Sequence, residues 1–178
     1  MAVKCVALIR GINVGRAKRV AMADLRTLVR SLGYSDVRTL LNSGNIVFDA
    51  PGADTYDCAA AIEEGLASTL GVTARVAVLT AADLDAIMAG NPLLELADDP
   101  SRMFASVLLN AADRDRLELL LDQDWRPEGL GLGDRVAYIW CPRGMQGSRA
   151  PAAVERALGG AVTTRNWATM TKLQALAS

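Results

Sequence analysis

Within the first 80 residues the apolar pattern switches repeatedly between strand and helix periodicity, and the order of the switches restricts the fold more than any other feature. Val3–Ile9 is rich in strand formers and bounded by Arg10 and Gly11, so it reads as a strand. Met22, Leu25, Leu28, Val29 and Leu32 then recur at helical spacing until Gly33 stops them. Val37–Leu41 and Asn45–Asp49 are short strands, joined by hairpin turn chemistry in Asn42-Ser43-Gly44-Asn45. Ala59, Ile62, Leu66 and Leu70 mark a second helix closed by Gly71, and Thr73–Leu79 alternates as a strand. Strand, helix, strand, strand, helix, strand is the split βαβ or ferredoxin-like order, the alpha-beta plait, with two helices on one face of a four-stranded antiparallel sheet.

The same order recurs beyond an acidic connection. Thr80 and Asp83 form a capping-box pattern that starts a short helix running to about Ala89, and Asn91-Pro92 ends it. Met103–Leu109 reads as a strand, and Asn110 caps a helix carrying Leu117, Leu120 and Leu121. A weak strand at Glu128–Leu132 turns at Gly133-Asp134 into Arg135–Trp140. A helix with Val154 and Leu158 starts near Ser148 and stops at Gly159-Gly160. A brief strand, Ala161–Thr163, precedes a closing helix, Asn166–Ala177. The expected class is therefore α+β: a ferredoxin-like half over residues 1–80, a helical, acidic connection over 81–100, and a second ferredoxin-like half with an extra C-terminal helix over 101–178. The halves share order but almost no residue identity, and a single continuous α+β domain is the competing reading.

Composition removes several kinds of chemistry. The chain has no histidine, so Ser-His-Asp triads, Cys-His pairs and His-ligated metal hydrolysis are excluded within it, and no metal or cofactor is expected. Cys5, Cys58 and Cys141 lie far apart without a Cys-x-x-Cys pair, which fits a reducing cytoplasm better than a disulfide framework. No apolar run approaches the roughly 20 residues a membrane helix needs. The net charge of −1 hides strong segregation. Residues 10–19 hold four cations and no acid, residues 83–124 carry a net −7, and residues 135–172 a net +5. Sixteen arginines against three lysines suit planar oxyanions, although a GC-rich coding bias produces the same ratio.

Two basic segments are the candidate binding surfaces. The first is the loop RGINVGRAKRV, with Arg10, Asn13, Gly15 and Lys18, where backbone N–H groups and the start of the following helix could cradle an oxyanion. It has neither the phosphate-loop ending nor the dinucleotide glycine spacing. The second is Thr163–Trp167, read as the head of the last helix, with Thr164 and Asn166 at the helix start and Arg165, Thr169 and Lys172 within about 60° of one another on one helix side. Ser43 and Asn45 at the hairpin tip, and Ser148 in Met145–Arg149, complete the candidate set. Each has a structural alternative: a glycine turn with solvated cations, an N-cap at Thr164, a core anchor at Trp167. Cys5 reads as a buried small hydrophobe, and Cys141, before Pro142 at a strand end, as a thiol that could be exposed but is a weak nucleophile candidate without a histidine.

The segments ALIRGINVG (Ala7–Gly15), Met22–Arg26, SGNIVF (Ser43–Phe48), Asn91-Pro92 and TRNWATMTKL (Thr164–Leu173) together resemble the domain of unknown function 1697 family. The resemblance spans residues 7–173 and implies a soluble, mostly bacterial protein of two ferredoxin-like halves with no assigned activity. Arg16 stands where the family pattern has a second glycine, and Gln146-Gly147-Ser148-Arg149 replaces a Gly-x-x-Lys-Ser-like stretch; both changes keep positive charge and cost backbone freedom.

The expected function is binding of a small anionic or phosphorylated ligand, with a nucleotide as one candidate, at a basic surface made by the first loop and the last helix. A histidine-independent enzyme on an anionic substrate, and a structural or interaction protein, are the alternatives. Nucleic acid is a weaker expectation, because aromatic residues make up only 4% of the chain and the first strand has none for base stacking. No membrane partner is expected, and the oligomeric state stays open.

Overall fold

A computed structural model describes residues 1–16, 18–52 and 54–178. The chain divides into two compact units, Met1–Asp85 with Leu173–Ser178, and Ala86–Lys172. The elements run β1 (Ala2–Ile9), α1 (Met22–Ser31), β2 (Ser35–Leu40), β3 (Asn45–Pro51), α2 (Thr55–Leu70), β4 (Val76–Thr80), α3 (Ala81–Ala89), β5 (Met103–Leu108), a 3₁₀ helix (Ala111–Asp122), β6 (Gly129–Leu132), β7 (Val136–Trp140), α4 (Arg149–Leu158), β8 (Val162–Asn166) and α5 (Trp167–Ala177).

The first sheet has the order β2-β3-β1-β4 and the second β6-β7-β5-β8, antiparallel throughout. Two α+β halves of ferredoxin-like type are thus present, as the periodicity implies. In the first unit, Leu25, Leu28 and Val29 of α1 and Ile62 and Leu66 of α2 close over Cys5, Ala7, Ile9 and Phe48. This is the burial that amphipathic spacing of 3.6 residues produces when one helix face meets one sheet face. No helix among the described residues is long and apolar enough to cross a membrane.

Two expectations change. The segment capped by Asn110 is a 3₁₀ helix, with the Asn110 side chain accepting from the Ala112 N–H at 3.1 Å. Three residues per turn align Arg114, Leu117 and Leu120 in one row. Accordingly Leu117 is fully buried, Arg114 Nε donates to the Gly133 carbonyl at 2.9 Å, and Leu121 is left exposed instead of packed.

The second change concerns the last strand, which extends three residues past Thr163. Ala105 pairs with Arg165 and Phe104 with Asn166, while the Ser106 and Thr164 hydroxyls share a hydrogen bond at 2.8 Å. Ladder partners about 60 residues upstream therefore override the local appearance of a helix head. The Thr80–Asp83 capping box forms reciprocally, with N–H···O distances of 2.9 and 3.0 Å.

Candidate functional site

The register of the first sheet brings three connections to one end. Leu8 pairs with Asn45, Ile9 with Val76, and Leu40 with Asn45, so the 10–21 loop, the 41–44 turn and the 71–75 segment leave the sheet together. The Ile9 N–H donates to the Gly44 carbonyl and the Arg10 N–H to the Arg75 carbonyl, both at 2.8 Å.

Asn13 organises the loop. Its side chain accepts from the Val20 N–H at 2.7 Å and donates to the Val20 and Asn42 carbonyls at 2.9 and 2.8 Å. One amide thus ties the loop to itself and to the hairpin turn. Gly11, Asn13 and Gly15 have φ of 71°, 58° and 54°, whereas the residues between them are not in the left-handed region. Anion-binding nests are built on left-handed residues alternating with right-handed ones, and these three positions supply the left-handed members.

The cations divide by role. Lys18 Nζ donates to the Leu70 carbonyl at 2.8 Å, covering the C-terminal end of α2, where partial negative charge gathers. Arg19 donates to the Asn13 carbonyl at 2.6 Å. Arg10 is half-buried, while Arg16 and Arg19 are exposed. Asn45 is fully buried and donates to the Leu40 carbonyl and to Ser43 Oγ, both at 2.9 Å, which braces the turn. Arg10, Asn13, Gly15, Lys18, Ser43 and Asn45 therefore do share one end of the first unit, with Asn13, Lys18, Ser43 and Asn45 also holding the local structure.

Helix α1 starts from this loop, and its N-cap Ala21 supplies no side-chain acceptor. The other helix starts differ. Asp54 accepts two N–H groups of α2, Thr80 serves α3, and Asn166 Oδ1 accepts the Thr169 N–H of α5 at 2.9 Å. At α4, Ser148 stands at the cap position, but its hydroxyl donates to the Gly144 carbonyl at 2.6 Å. The Glu128 carboxylate takes that place, accepting from the Arg149 and Ala150 N–H groups at 3.0 and 2.8 Å. The Met145–Arg149 helix start thus already holds an anion supplied by the chain.

Glu128 is a residue that local patterns do not reveal, because it caps a helix 21 residues further on. Glu128→Ala should lower stability by about 1–2 kcal/mol, the usual cost of losing a cap. Urea unfolding would read this as a lower midpoint at unchanged slope. An unchanged midpoint would mean that water serves those two donors equally well.

The remaining candidates, Thr164, Arg165, Asn166 and Lys172, belong with Ser148 to the second unit. Arg165 lies on β8, not on the last helix, so the expected row of Arg165, Thr169 and Lys172 on one helix side does not exist. Its guanidinium donates to the Thr164 carbonyl at 2.9 Å, and burial pulls its pKa down to about 10. Asn166, not Thr164, caps α5, and Lys172 is exposed. Cys141, whose exposure the sequence left open, is fully buried, and burial pushes the Cys5 and Cys141 thiols up to about 11.

Residues 2–138 match the protein family described as "Protein of unknown function (DUF1697)". No curated protein matches the sequence. Among solved structures, that of a conserved bacterial protein from Streptococcus pneumoniae resembles it with a TM-score of 0.76 and 21% identity over 100% of both chains. At this identity the likeness establishes the fold alone.

Proposed function

The chain belongs to the family described as "Protein of unknown function (DUF1697)", and from its own residues we propose that it binds a small anionic or phosphorylated ligand at the basic end of the first unit. The observation that carries this reading is the conjunction at that end. A loop with alternating left-handed residues feeds a helix start without a side-chain cap, and no acid occurs from Arg10 to Ala23. Backbone donors, the positive end of α1 and the exposed Arg16 and Arg19 all favour the same charge.

A small ligand, with a nucleotide as one candidate, is preferred to a nucleic acid. Val6 and Leu8, on the β1 face away from α1 and α2, are aliphatic and fully buried, so that face has no ring for base stacking. Binding is preferred to turnover, because burial disfavours the Cys5 and Cys141 thiolates and Ser43 Oγ accepts from Asn45. Three buried free cysteines suit a cytoplasmic location.

Thermal unfolding at low salt with inorganic phosphate, pyrophosphate and adenosine phosphates tests the proposal. A ligand at 100 times its Kd should add about 2.7 kcal/mol of stability. The double variant Arg16→Ala/Arg19→Ala should weaken binding at least tenfold while far-UV circular dichroism is unchanged. Melting temperatures unmoved by every probe would sink the reading.

A further inference from the structure

The second unit contains a groove of about 810 Å³ between α4 and the 3₁₀ helix, and we infer that it is a separate binding site for a small anionic amphiphile, an apolar or aromatic body carrying one phosphate or carboxylate. The argument begins with α4. Ala150, Val154 and Leu158 form its buried face. Arg149, Ala153, Arg156 and Ala157 follow the i, i+4, i+7, i+8 spacing of a second face, and all four line the groove. Ala153 thus forms a shallow apolar floor between two arginine positions about 10 Å apart along the helix axis, and Ala157 continues that floor just beyond Arg156.

Leu120, Trp125 and Met145 extend the apolar surface. The Trp125 indole is fixed by its Nε1–H, which donates to the Leu120 carbonyl at 2.7 Å, and the Arg149 guanidinium lies 5.4 Å from its ring centroid. The volume falls within the few hundred to about 1,000 Å³ of small-molecule sites, which are mostly apolar with a few polar groups.

Charge selects the ligand. Two of the neighbouring carboxylates are already engaged: Glu128 by the α4 N–H groups, and Asp124 by Arg126 at 2.9 and 2.7 Å. Arg156 is exposed and forms no ion pair among the described residues. Besides the Trp125 ring face, Arg149 has a 3.8 Å approach to Glu128 and a 3.2 Å bond to the Asp124 carbonyl. An apolar floor with one unpaired and one loosely held guanidinium fits an anionic head on Arg156 and a flat or aliphatic body over Ala153, Ala157 and Leu120.

Calorimetric titration with 1-naphthyl phosphate and with decanoate tests the site and distinguishes a ring from a chain as the body. At least one probe should bind one-to-one. Arg156→Ala should weaken it about tenfold or more, Arg156→Lys should recover part of the loss, and Ala153→Trp should abolish binding by filling the floor. Arg16→Ala should leave this binding unchanged, which separates the site from that of the first unit. The inference is overturned if neither probe binds, if inorganic phosphate binds as tightly as both, or if Arg156→Ala and Ala153→Trp leave affinity intact. Uptake of an acidic peptide in place of both probes would overturn it too.

Discussion

Phe48→Ala is expected to cost about 3–5 kcal/mol, the range for truncating a fully buried aromatic side chain. Phe48 sits in β3 opposite Cys5, has no exposed surface, and lies with its ring centroid 4.8 Å from that of Tyr34. The side chains of α1 and α2 close over it, and two helices anchored on a sheet cannot collapse fully into the space left behind. The melting temperature should fall by on the order of 10 °C. Phe48→Leu should recover more than half of the loss, because most of the buried volume returns. A small effect from Phe48→Ala would show that the first core is more compliant than its packing implies.

Gly44→Ala should be nearly as damaging, at about 2–4 kcal/mol, for two additive reasons. The residue has φ of 87°, where a side chain is strained, and an added Cβ would lie 2.9 Å from Ile9 Cβ and 3.0 Å from Ile12 Cδ1. Neither neighbour can give way easily, since both are buried. Gly11→Ala supplies the control. Its φ is 71°, yet nothing lies within 4 Å of the added atom, so it should pay only backbone strain, about 1 kcal/mol. Denaturant midpoints for the two variants would separate strain from overlap. Equal losses would mean that the contact with β1 contributes nothing. Gly44 also fixes the height of the turn whose Asn42 carbonyl receives Asn13, so its replacement should disturb the proposed anion site.

The candidate site was only half legible from sequence, for a reason visible in its cations. Four basic residues without an acid announce a positive loop, and they do form one. Their identities do not say which are engaged. Lys18 meets a carbonyl 52 residues away at the end of α2, whereas Arg19 turns back six residues to Asn13. Asn13, a candidate ligand-binding residue from the sequence, makes three hydrogen bonds that make it the organiser of the loop. At the other end of the chain, Thr164-Arg165-Asn166 has the residue types of a helix cap. It is drawn into β8 because Phe104–Ser106 offers ladder partners that only the folded sheet supplies.

What the amino-acid order determined alone is everything that acts over a few residues or over composition. The strand and helix periodicities, the Thr80–Asp83 box, the left-handed stop at Gly71 and the exclusion of histidine chemistry belong here. Each rests on groups no more than four or five positions apart, or on a side chain that is simply missing. Tertiary structure decided which polar groups remain for a ligand. The Glu128 carboxylate at α4, the end of α2 under Lys18, the 3₁₀ winding that leaves Leu121 exposed and the groove flanked by Arg149 and Arg156 all arise where distant segments meet. Hydrogen-bonding capacity and charge are consumed by whichever partner the fold delivers, and that delivery is not a local property of the chain.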